Sequence, residues 1–167
     1  FYEGKEGPTD LKSFQKLLQH QFFGSDCLKT GCYIGEEIRL GIPHLETKSL
    51  EMITLIGRVF QLETLSEKDK QLYIELYYTM FSTWIAFELQ VDYLSYTCKD
   101  GIDRGMAALS MALLLHLVLS DKESSEEGYR ILQAALFTRA YWVRKRTINS
   151  DRFTRFYEDA QALTQFA

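Results

Sequence analysis

The stretch from Val91 to Leu119 constrains this chain more than any other. Val91 to Thr97 sets Tyr93, Ser95 and Thr97 against Asp92, Leu94 and Tyr96, and this alternation is read as a strand. Cys98-Lys99-Asp100-Gly101-Ile102-Asp103-Arg104-Gly105 follows, and Gly101 frees the backbone for a tight curve. Met106 to Leu119 is apolar nearly all round, which predicts a helix buried on several sides. A lone strand leaves its backbone groups unpaired and is not stable alone. Its partners must come from the region of Cys32 to Ile34 or from a segment outside this sequence, and the second source is preferred. The predicted fold is mainly α with a minor β part, built on a strand–phosphate-loop–helix core of α/β type. Residues 1–167 then form a single domain or the later portion of a larger one, with a helical C-terminal part from about residue 121.

The loop carries the chemistry. Backbone N–H groups of such a loop converge on an anion, and the helix N-terminus behind them adds its positive dipole end. The same field favours the thiolate form of Cys98. Arg104 offers a planar fork that grips two phosphate oxygens at once. A nucleophile, an anion cradle and a charge clamp within eight residues suit phosphoryl transfer through a phosphocysteine. Asp100 and Asp103 would repel an anionic ligand if they were only structural. They make sense as acid–base groups, and both are candidates to protonate a leaving oxygen. A bare Cys-x5-Arg spacing is a weak signal; the Asp-Gly-x-Asp inside it and the flanking elements sharpen it.

Cys98-Lys99-Asp100-Gly101-Ile102-Asp103-Arg104 resembles the signature loop of the Cys-x5-Arg phosphatases, and more narrowly their phosphoinositide branch. Myotubularin-type loops match at Cys98, Asp100, Gly101, Asp103 and Arg104. Lys99 is similar to the lysine after the cysteine in tensin-type lipid phosphatases and in bacterial effector phosphoinositide 3-phosphatases. The resemblance implies an α/β phosphatase domain that removes a phosphate, in particular the 3-phosphate, from inositol phospholipid headgroups. It implies Cys98, Asp103 and Arg104 as catalytic residues and Lys99, Asp100, Gly101, Ile102 and Gly105 as substrate-binding residues. Thr97 stands where many relatives have histidine, Gly105 where most have Thr or Ser, and no Trp-Pro-Asp sequence lies upstream.

Charge bears on the partner. The net charge is −4, which argues against general nucleic-acid binding. From Arg139 to Arg155, however, six bases face one acid, Asp151, a local net charge of +5 against −9 elsewhere. Arg144 and Lys145 are therefore added to the substrate-binding set, and Arg139, Arg144, Lys145 and Arg146 are expected to face an anionic membrane surface. The expected partners are a phosphoinositide headgroup, that surface and the remainder of a longer chain completing the sheet. Cys27 and Cys32 lack neighbouring histidines, so no metal site is expected, and the chemistry calls for no cofactor. A thiolate enzyme needs a reducing compartment. With no apolar run of spanning length and no signal-peptide pattern, the expected location is cytoplasmic and peripheral to membranes, in a host cytosol for a secreted effector.

Elsewhere the periodicity predicts helices. One runs from Thr9 as cap to about Phe23, a second from Ser49 to about Leu62, and a third from a Ser66–Asp69 capping box to about Leu89. A fourth follows Ser124 to about Arg146, and a last one runs from Asn149 or Ser150 to about Phe166. Gly24 to Gly41 reads as loop, and His116 as a core histidine. Two alternatives remain: a protein-tyrosine phosphatase using the same loop, or a catalytically weak phosphoinositide-binding module.

Overall fold

A computed structural model describes residues 7–24, 34–60, 63–96, 102–123 and 125–164, and 76% of these are helical. Seven helices are defined among them: α1 (Leu11–Phe23), α2 (Glu36–Gly41), α3 (Leu45–Phe60), α4 (Glu67–Glu88), α5 (Arg104–Leu119), α6 (Glu126–Arg144) and α7 (Ser150–Thr164). The chain divides into two compact units, Phe1–Gln90 and Val91–Ala167.

Local chemistry sets most helix starts. The Asp10 carboxylate accepts from the Ser13 N–H at 2.8 Å and caps α1, one residue later than the Thr9 cap read from sequence. Ser66 and Asp69 form the reciprocal capping box at the start of α4. The Ser125 hydroxyl accepts from the Gly128 N–H at 3.0 Å and starts α6, so the cap is Ser125 and not Ser124. Asn149 Oδ1 accepts from the Asp151 N–H at 3.0 Å at the start of α7. Each cap satisfies backbone donors that the first turn leaves without helical partners.

In the first unit, Phe14, Leu18 and Phe22 of α1 are buried with Ile53 and Ile56 of α3 and Tyr73, Ile74, Tyr77 and Phe81 of α4. The rings mesh: Phe22 meets Tyr77 edge-on at 4.9 Å and Tyr77 stacks on Phe81 at 5.3 Å. Two polar links cross this core. Ser49 and Tyr77 hydroxyls share a 2.6 Å hydrogen bond in full burial. Gln15 Nε2 donates to the Tyr73 hydroxyl at 3.1 Å and to the Ile53 carbonyl at 3.3 Å, and the Tyr73 hydroxyl donates to that same carbonyl. Burial pushes the Tyr73 phenol up to about 12, so it stays a protonated donor. The buried side of α4 is thus the Tyr73–Ile74–Tyr77–Phe81 side. Leu76 is buried beside them, whereas Leu72, Met80 and Trp84 are half-buried and Phe87 is exposed.

In the second unit, α5 packs against both α6 and α7. Met106, Met111, Leu114, Leu115, Leu117 and Val118 fill the space between them. That explains a helix apolar on nearly every side. His116 is exposed rather than a core histidine.

The expected strand–phosphate-loop–helix core of α/β type is not present among the described residues, which contain no strand or sheet. Val91–Tyr96 is irregular, and Tyr93 is 93% exposed. Alternation alone does not make a strand; the N–H and C=O groups need a neighbouring ladder. The one extended pairing described is an isolated bridge, Asp10 with Thr64, where the Leu11 N–H meets the Glu63 carbonyl at 3.1 Å and the Leu65 N–H meets the Thr9 carbonyl at 2.7 Å. In the region of Cys32 to Ile34, the strand source within this sequence, Ile34 lies before α2 outside any bridge, and Cys32 falls outside the described residues, as do residues 97–101.

Candidate functional site

The helix that was expected behind the Cys98 loop begins at Arg104. Ile102 is buried and anchors the approach, and Gly105 is buried in the first turn. Arg104 is exposed. A helix of 16 residues therefore starts beside its charge, with the N–H groups of its first turn lacking helical partners.

Asp103 occupies the N-cap position but does not cap its own helix. Its carboxylate instead meets the segment between α6 and α7. Asp103 Oδ2 accepts from Arg146 Nη2 at 2.7 Å and Oδ1 accepts from Arg146 Nη1 at 2.9 Å. Oδ1 also accepts from the Asn149 backbone N–H at 3.0 Å. Arg146 Nη1 is shared with the Thr147 carbonyl at 2.7 Å. The Arg146 guanidinium beside Asp103 holds its carboxyl below the usual carboxylate range, with smaller help from the Asn149 N–H and the charge of Arg152. This two-pronged pair is partly exposed, 45% at Arg146 and 27% at Asp103.

The pair ties three helix ends together: the start of α5, the exit of α6 and the approach to α7. Lys145 makes the necessary reversal. It adopts a left-handed conformation (φ 53°, ψ 33°) as C-cap of α6, and its N–H donates to the Tyr141 carbonyl at 2.9 Å. Its ammonium lies over the rings of Tyr141 and Trp142, 5.9 and 5.8 Å from their centroids.

The structure thus brings Ile102, Asp103, Arg104 and Gly105 to one helix start, with Arg146, Asn149 and Arg152 beside Asp103. Arg144 and Lys145 lie on the exposed end of α6. Cys98, Lys99, Asp100 and Gly101 lie outside the described residues. Arg146 as the clamp on Asp103, and the Asn149 N–H, were not legible as site groups; the only sequence signal was the excess of bases between Arg139 and Arg155. Among the described residues no cluster of His, Cys, Asp and Glu could hold a metal ion, and no helix is long and apolar enough to cross a membrane.

No protein-family model, curated protein or solved structure matches the chain. The chemistry of the loop and the geometry at its exit are therefore what a functional reading has to stand on.

Proposed function

We propose that the chain is a phosphoinositide phosphatase acting through a phosphocysteine at Cys98, with the 3-phosphate of an inositol phospholipid headgroup as its target. The observation that supports this is the start of α5 at Arg104: a basic residue opens a 16-residue helix six residues after the cysteine. A guanidinium and a helix N-terminus each stabilise an anion that gains charge in the transition state. The Cys98 thiolate attacks phosphorus, the bond from phosphorus to the inositol oxygen breaks, and the leaving oxygen takes a proton. Water then attacks the phosphocysteine, gives up a proton to the same group and releases phosphate and the thiolate. Arg104 holds two non-bridging oxygens throughout.

An inositol alkoxide is a poor leaving group, so a proton donor is required. A carboxyl that Arg146 and Asn149 hold ionised is poorly suited to the task, since it carries no proton near neutrality. We assign the proton to Asp100 and a positioning role to Asp103, whose carboxylate links the helix start to Arg146. Gly105 supplies no hydroxyl to the departing thiolate, so phosphoenzyme hydrolysis is the slow step of this scheme.

The test is phosphate release from a panel of phosphoinositides, a phosphotyrosine peptide and an aryl phosphate. Cys98→Ser abolishes turnover. Asp100→Asn slows lipid hydrolysis far more than aryl phosphate hydrolysis, because the phenolate needs no proton. Asp103→Asn slows both alike. Turnover by Cys98→Ser refutes the phosphocysteine, and preference for the phosphopeptide refutes the lipid substrate.

A further inference from the structure

Burial along α6 stops at Ala140. Tyr141, Trp142 and Val143 follow at 63%, 71% and 59% exposure. Three consecutive helical residues point about 100° apart, so they span roughly 200° around the axis. The buried stripe of α6 runs through Gly128, Leu136 and Ala140, and the three residues after Ala140 fall on the outward side of the helix. A single exposed Trp needs no explanation, but three adjacent exposed apolar side chains, two of them aromatic, at the tip of a helix do.

The charge around the tip indicates what covers it. Arg139 and Arg144 are exposed on the same end of α6, and Lys145 lies over both rings. The stretch from Arg139 to Arg155 carries one acid against six bases. Trp and Tyr rings favour the boundary between hydrocarbon and water, where the ring is buried and its polar edge stays wet. Long basic side chains lie along apolar groups and raise their charged heads to lipid phosphates.

We infer that the Tyr141–Lys145 tip of α6 is a docking point that inserts Trp142 and Tyr141 into the headgroup layer of an anionic bilayer. Lys145 leaves the ring faces on docking and meets lipid phosphate. Arg146 takes no part, because its guanidinium is committed to Asp103. That same pair fixes the tip next to the start of α5, so docking would bring the Arg104 end of the loop to the lipid surface. The inference rests on the lipid-phosphatase reading for the use of the surface, and not for its existence.

The test uses the full chain carrying Cys98→Ser, which cannot turn over lipid, together with Trp84→Phe, which leaves Trp142 as the only tryptophan. Phosphatidylcholine vesicles with and without phosphatidylserine are added, with no phosphoinositide present. Trp142 emission should shift to the blue and be quenched by brominated acyl chains only with the anionic vesicles. Lys145→Glu and, in the Trp84-containing chain read by co-sedimentation, Trp142→Ala should each lower vesicle partitioning about tenfold or more. Unshifted emission from vesicle-bound protein would overturn the inference. So would equal binding to neutral vesicles, or a concentration-dependent blue shift without lipid, which would assign the tip to a second copy. With Cys98 in place, hydrolysis of a short-chain phosphoinositide without vesicle docking would sink this inference and leave the proposed function standing; docking without hydrolysis by that chain would do the reverse.

Discussion

The pair between Asp103 and Arg146 offers the sharpest measurement. Removing one partner at a time and then both, with Asp103→Asn, Arg146→Met and the double variant, isolates their coupling. Two unit charges about 4 Å apart are worth about 4 kcal/mol at an effective dielectric near 20. Arg146 is nearly half exposed, so water screens the pair, and holding a long side chain in one rotamer costs about 2 kcal/mol. What remains is about 1 kcal/mol, the upper end for exposed pairs, as the two-pronged geometry warrants. Hydrogen exchange at the α5 amides reads this locally, so the first unit does not enter. The pH dependence has a definite sign. Folding lowers the Asp103 pKa from an unfolded value of about 3.9. The stabilisation is therefore complete above about pH 4 and is lost as pH falls through the lower folded value. Coupling of about 1 kcal/mol at pH 7 that fades as acid protonates the Asp103 carboxylate is the expected result. Coupling under about 0.3 kcal/mol at pH 7, which is within additivity, or coupling indifferent to acid, refutes the reasoning.

Two glycines give further checks by urea denaturation. A Cβ on Gly57 would meet Gln15 Nε2 at 2.2 Å, so Gly57→Ala should lose the Gln15 hydrogen bonds and cost about 1 kcal/mol net, yet stabilise by about 1 kcal/mol when Gln15 is already Ala. A Cβ on Gly128 would meet the Lys122 carbonyl at 2.6 Å and Ser125 Oγ at 2.9 Å; because backbone cannot swing aside, Gly128→Ala should destabilise by about 1–3 kcal/mol despite its better helix propensity, and a neutral result would show that the turn is slack.

What was legible in the sequence was chemistry acting over three or four residues. The Ser66–Asp69 box is read directly, because both partners lie within one turn. The central place of α5 follows from its lack of a polar face. Where a tertiary contact competes, the reading slips. Ser49 resembles a cap, but its hydroxyl bonds Tyr77, 28 residues on, and α3 begins earlier, at Leu45. The short α2 hides in a glycine-broken stretch that carries too few residues for a periodic signal. The supposed strand fails for a related reason: alternation describes which side chains could share a face, and says nothing of whether a ladder exists to receive the backbone. At the candidate site the start of α5 was legible and the state of Asp103 was not, because that state depends on a guanidinium 43 residues away.

That distance bears on how the basic stretch is used. Read as a string, Arg139, Arg144, Lys145 and Arg146 look interchangeable. In the fold they are not. The left-handed turn at Lys145 sends adjacent side chains to different tasks, Lys145 onto exposed rings and Arg146 back to Asp103. An anionic surface that recruited Arg146 would have to break two charged hydrogen bonds and leave Asp103 with the Asn149 N–H alone, whereas recruiting Lys145 gives up only exposed ring contacts worth about 0.5–1 kcal/mol. Lipid attraction at this end of the unit should therefore draw on Lys145 first and leave the clamp intact. The order matters, because the clamp joins the exposed end of α6 to the helix start that carries Arg104.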